Sequence, residues 1–162
     1  ALTVSVCNLR PESRGSVHVT SADPGKAPAI RPNYLSAPAD QRVAVASIRH
    51  ARALMATRRM AEFRPEELKP GAQVDGEAAL LQAAGDIATT IFHPVATARM
   101  GVDAGAVVSP ELTVNGLAGL SIADASVMPA IVSGNTHAPV TMIAEKAAEM
   151  IAARLRARVA AA

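Results

Sequence analysis

Two spacings of apolar side chains divide this chain, a period of two near its start and a period of about three and a half further on. Leu2, Val4 and Val6 alternate with Thr3, Ser5 and Cys7, and residues 15–20 form a second β-rich run, so strands are predicted over 3–9 and 15–20. Arg10-Pro11-Glu12-Ser13-Arg14-Gly15 between them carries turn chemistry. Residues 22–38 contain Pro24, Pro28, Pro32 and Pro38 without a helical period, and read as an extended, irregular segment packed on a larger body. From about Ser36 the period lengthens. Ala44, Ile48, Ala51 and Met55 fall on one face of a helix, with Pro38 in its first turn and Arg42, Arg49 and Arg52 directed elsewhere. Pro65, Pro70, Gly71 and Gly76 break that pattern. A shorter helix over 77–88 then places Leu80, Leu81, Ala84, Ile87 and Ala88 on one side, with Asp75 as its candidate cap.

Residues 89–135 are punctuated by glycine and proline and read as loops with short strands, of which Leu120–Ala123 is the best candidate for a buried one. A last helix is predicted over 138–159, with Val140, Ile143, Ala144, Ala147, Ile151 and Leu155 on its apolar stripe. Arg154, Arg156 and Arg158 sit in its final turns, where the helix dipole favours positive charge. The predicted class is α+β.

Composition narrows the choice of function. Half of the 162 residues are hydrophobic and the mean hydropathy is +0.22, enough to bury a core. One Tyr, two Phe and no Trp mean that this core is built from small and branched aliphatic side chains. The net charge of +2 is scattered, and with no aromatic residues interleaved the chain has little of what nucleic-acid binding requires. Cys7 stands alone, so it forms no internal disulfide and no zinc site, which fits a reducing, cytoplasmic compartment. No apolar run approaches the roughly 18 residues of a membrane span. The first residue is Ala1 and the first run is strand-like, which suggests a piece of something longer.

Four histidines are present, and none has helical metal-ligand spacing. His18 falls in a strand and His50 in a helix, where ordinary structural roles are expected. His93 and His137 lie in irregular segments flanked by glycine and proline, where a scaffold can present a side chain to a cavity. Gly119-Leu120-Ser121-Ile122-Ala123 approaches a nucleophile elbow, and with Asp124 and a histidine it suggests a serine hydrolase. That elbow needs a sharp turn from strand into helix, which Ala125, Ser126 and Pro129 do not predict. Ser133-Gly134-Asn135-Thr136-His137-Ala138-Pro139 opens the last helix, and its unpaired N–H groups suit an anion or a developing negative charge.

Several stretches then occur in a telling order. They are Arg10-Pro11-Glu12-Ser13-Arg14-Gly15-Ser16-Val17, Ser21-Ala22-Asp23-Pro24 and Pro32-Asn33-Tyr34-Leu35. Further on come Phe92-His93-Pro94-Val95-Ala96-Thr97-Ala98-Arg99-Met100-Gly101, Ala123-Asp124-Ala125-Ser126-Val127-Met128-Pro129 and Gly134-Asn135-Thr136-His137-Ala138-Pro139. Together they closely resemble the C-terminal part of the glucose–methanol–choline (GMC) oxidoreductases, the choline-dehydrogenase-like branch in particular, over about residues 3 to 153.

The resemblance implies an FAD-dependent alcohol oxidase or dehydrogenase that oxidises a primary alcohol to an aldehyde. It maps the family's base or hydrogen-bonding histidine onto His93 and a second catalytic position onto His137, where the choline branch usually carries Asn. It also implies that Asp124 and Ala125 approach the flavin's phosphate and ribityl region, and that Asn135, His137 and Pro139 approach the isoalloxazine. Ala96 replaces the usual Gly of the first histidine motif. Residues 1–115 would belong to the substrate-binding part, and residues 116–162 would contribute the strand and final helix that complete the FAD-binding domain. The Gly-x-Gly-x-x-Gly fingerprint that grips a dinucleotide pyrophosphate does not occur. The expected partners are therefore the N-terminal FAD-binding half of the same enzyme and a small alcohol, and this chain by itself should be inactive. The alternative from a different class is a non-catalytic module that docks on another polypeptide.

Overall fold

The computed structural model describes residues 1–161. The chain forms two compact units, one spanning Ala1–Thr90 and a second from Ile91 onward. Helices and one small sheet share the chain, which makes it α+β.

In the first unit, strand β1 (Ser16–His18) pairs antiparallel with β2 (Ala29–Arg31), with Val17 opposite Ile30. The second strand lies inside the proline-rich stretch expected to be irregular. Two prolines bracket it without entering it, so its N–H groups remain available to the ladder. Gly15 precedes β1 where a Cβ would collide with the Arg31 carbonyl and lie 2.5 Å from that of Pro32. No strand forms over residues 3–9. Leu2, Val6 and Leu9 are exposed and no neighbouring edge offers hydrogen bonds, so alternation alone does not make a strand.

Hydrogen bonds hold that N-terminal segment instead. Helix α1 (Pro38–Met55) starts with Pro38, whose missing N–H is not needed there, and carries buried Asp40 in its first turn. The Asp40 carboxylate accepts from Asn8 Nδ2 at 3.0 Å, Glu12 N at 2.9 Å and Ser13 N at 2.8 Å, while Ser13 Oγ accepts from Ala37 N at 3.1 Å. Burial pushes the Asp40 carboxyl up, but the bonds from Ser13, Glu12 and Asn8 outweigh it and hold the group below its ordinary value.

Helix α1 packs on α3 (Glu77–Ile87), with Val45 from the first and Leu80 and Ala84 from the second in the interior. Gly76 rather than Asp75 is the N-cap of α3, and it makes no side-chain cap bond. A four-residue helix, α2 (Arg58–Ala61), follows α1 and buries nothing. Arg52 lies off the apolar face of α1, as its spacing predicts, and finds partners there. Its guanidinium forks onto Glu67 and also donates to the carbonyls of Gly71 and Val74, at 3.1 and 2.9 Å, which shapes the loop between the helices.

The second unit is built from loops laid against a long helix, α4 (His137–Ala160). Val108, Leu112, Val127, Met128, Ile143 and Ala147 form its core, with Val140, Met100 and Ile122 packed at the margin. Val140, Ile143, Ala147 and Ile151 turn inward as the helical period predicts, whereas Ala144 and Leu155 are exposed. Leu120–Ala123 is not a buried strand. Only an isolated bridge joins Thr113 to Ser121, and Leu120 is exposed. Among the described residues no helix is long and apolar enough to cross a membrane.

Candidate active site

His93 opens a segment held along its length. Ala98 and Met100 donate their N–H groups to the carbonyls of Ser126 and Val127, at 3.0 and 2.8 Å. Gly101 bonds to Val108, which is fully buried. The stretch after His93 is therefore fastened to the 3-10 turn at Ala125–Val127, itself closed by Asp124, whose carboxylate accepts from Ser126 N at 2.8 Å. Arg99 forks onto Asp103, and hydrogen bonds from Arg99 and the Gly105 N–H hold that carboxyl well below the usual range.

The backbone around His93 departs from the ordinary. Phe92 and Ala96 have φ of 62° and 71°, the left-handed region where an L side chain crowds a carbonyl at roughly 1–2 kcal/mol per residue. Such conformations persist where the surroundings over-determine them, as the ladder to residues 126 and 127 does here.

Thr136 supplies the link to α4. It occupies the N-cap position, yet its φ and ψ of −85° and −8° are helical, and its side chain caps nothing. Its hydroxyl instead meets His93 Nδ1 at 2.9 Å, in a residue only 6% exposed. The first turn of α4 consequently has no side-chain cap, and Pro139 has no N–H to satisfy. Thr141 Oγ1 donates to the His137 carbonyl at 3.0 Å and steadies that turn.

His93 is thus half-buried and tied to the residue preceding His137, while His137 is exposed at the first helical position. Among the described residues no hydrogen bond joins the two imidazoles directly. Asn135 and Asp124 are exposed, and Ala125 and Pro139 are half-buried. All of these lie in the second unit. Thr136 escaped notice because a threonine before a helix reads as a cap, and nothing in its spacing says that the hydroxyl turns to a residue 43 positions away. Ser121 accepts from Arg154 Nη2 at 2.9 Å, a permanent cation that cannot take its proton, and no helix follows it as an elbow requires.

Comparison with known proteins identifies the family. The chain is 44% identical to the alcohol dehydrogenase [acceptor] of Pseudomonas putida over 149 residues, covering 92% of this chain and 27% of that protein. Over the same length it is 40% identical to an oxygen-dependent choline dehydrogenase of Pseudomonas syringae pv. tomato, covering 92% of this chain and 26% of that one. An FAD-dependent oxidoreductase from Chaetomium thermophilum superposes with a TM-score of 0.85 at 32% identity, over 91% of this chain and 26% of that structure. The chain spans about a quarter of the length of the relatives it matches. The GMC oxidoreductase C-terminal profile matches residues 11–144, and the chain therefore belongs to the GMC oxidoreductase family, forming the C-terminal part of its fold.

Proposed function

We propose that this chain provides the histidine-bearing portion of a flavoprotein active site that oxidises a primary alcohol to an aldehyde, completed by an N-terminal FAD-binding half. The observation that carries the reading is the hydrogen bond between the Thr136 hydroxyl and His93 Nδ1, which fastens a histidine-bearing loop to the start of the helix bearing the second histidine. As an alcohol is oxidised, its O–H proton leaves and its carbinol C–H bond breaks with the electron pair. One imidazole accepts that proton while the other donates a hydrogen bond to the oxygen as it gains charge, each favouring the carbonyl that forms.

The donors and acceptors present fit FAD. Asn135 and His137 are exposed at the uncapped, positive end of a 24-residue helix, a setting that favours an electron-rich ring. Asp124 is a carboxylate that only accepts, which suits ribityl hydroxyls, while Ala125 offers backbone toward the phosphate and Pro139 an apolar surface toward the isoalloxazine. Bound FAD supplies the acceptor for the hydride. In this reading residues 1–115 serve substrate binding and residues 116–162 complete the cofactor domain.

The test is His93→Ala in the complete enzyme, with alcohol-dependent flavin bleaching followed by stopped flow. Bleaching should slow by about two orders of magnitude or more. An unchanged rate removes His93 from the mechanism, and a wild-type enzyme that no alcohol bleaches refutes the activity.

A further inference from the structure

We propose that Thr136 is a positioning residue that sets the orientation of the His93 ring and joins it to the first turn of α4, so that one rigid framework carries both histidines. The consequence for alcohol oxidation rests on the function proposed above, whereas the framework itself does not.

The backbone around His93 leaves its ring free to turn. The left-handed φ angles at Phe92 and Ala96 direct the loop, and the ladder to residues 126 and 127 begins only at Ala98. Neither fixes the two side-chain torsions of a half-buried imidazole. A single contact does. Thr136 Oγ1 lies 2.9 Å from Nδ1, the one side-chain hydrogen bond that the ring makes among the described residues. With Nδ1 engaged, Nε2 on the other side of the ring is the nitrogen left for a ligand.

Thr136 is suited to be the fixed end of that contact. It is only 6% exposed, and a β-branched side chain has few χ1 states open to it. Its carbonyl accepts from Val140 N at 3.0 Å, so its backbone is held in the first turn of α4 while its hydroxyl holds the imidazole. His137 is the next residue, and its own carbonyl accepts from Thr141 Oγ1 in the same turn. Movement of that turn therefore carries both imidazoles together. A threonine before a helix ordinarily takes extended geometry and accepts an N–H of its own helix. Thr136 has helical dihedrals instead, and gives up the cap for a partner 43 positions away. Places where a local preference yields to a distant contact are where functional constraint is expected.

The experiment uses the complete enzyme with FAD bound. Thr136→Val keeps the side-chain shape and removes the hydroxyl, with Thr136→Ala read alongside it as a second loss of that group. Flavin content and melting temperature report on folding. The limiting rate of flavin bleaching should fall by about 10- to 100-fold, with the alcohol concentration for half-maximal rate little changed, because orientation rather than binding is lost. Thr136→Ser, which keeps the hydroxyl, should restore the rate. In a His93→Ala background, Thr136→Val should add almost nothing, since a residue acting through the imidazole then has nothing to act on. Crystal structures supply a readout apart from turnover. The His93 ring should hold one orientation against Thr136 in wild type, keep it in Thr136→Ser, and take more than one in Thr136→Val. A wild-type ring away from Thr136, an unmoved ring in Thr136→Val, an unchanged rate, or equal slowing with and without His93 overturns the proposal. If the rings behave as expected but no alcohol bleaches the wild-type flavin, the positioning stands and the activity falls.

Discussion

Ala96 stands where the resemblance to the GMC family calls for glycine, and its φ of 71° shows why glycine suits the place. The backbone there is turned so that the segment from His93 can reach its ladder with residues 126 and 127. An alanine Cβ opposes that turn, so Ala96→Gly should stabilise the protein by about 1 kcal/mol. A rise in melting temperature of the complete enzyme checks it, and a fall would show that the Cβ packs usefully. The departure from the motif was legible in the linear chain. Its consequence was not, because a residue type does not announce its dihedral angle. Thr136 teaches the same lesson, since a threonine ahead of a helix ordinarily caps it and this one does not.

Periodic elements were read well where one face meets a packed neighbour. Helices α3 and α4 begin and end within a residue of their expected limits, and α1 begins two residues after its expected start. Elements that depend on a distant partner were not. The run over residues 3–9 has strand-like alternation but no edge to join, whereas β2 forms in a proline-rich stretch because β1 offers it one. The N-terminal segment is fastened instead by Asp40, a contact across 28 and 32 positions. Asp40→Asn loses the charge that faces the N–H donors of Asn8, Glu12 and Ser13, and should lower stability at neutral pH by about 1–3 kcal/mol. Because the folded carboxyl titrates below its ordinary 3.8, this contribution is present above that value and fades as pH falls through the lower, folded one. Melting curves of both proteins from neutral pH into acid should therefore converge, and parallel curves would contradict the assignment.

Taken whole, the chain leaves Val17, Val19 and Ile30 exposed in one unit, and Phe92, Leu117 and Met142 exposed in the other. Apolar surface of this extent is what an unpaired portion of a larger fold presents, in keeping with coverage of about a quarter of its relatives. The chain produced alone should not retain FAD through gel filtration. Produced together with the rest of the enzyme, it should elute yellow. Flavin bound by the isolated chain would show that residues 1–162 suffice.

The order of the three longer helices, the family and the identity of the histidines were all present in the linear chain, because helical period, turn chemistry and short motifs are properties of neighbouring residues. Folding alone determined which hydroxyl meets which imidazole, which carboxylate gathers the N-terminal segment, and which alanine is held left-handed. Those outcomes depend on groups tens of positions apart arriving within about 3 Å of each other, and hydrogen bonding acts only at that range.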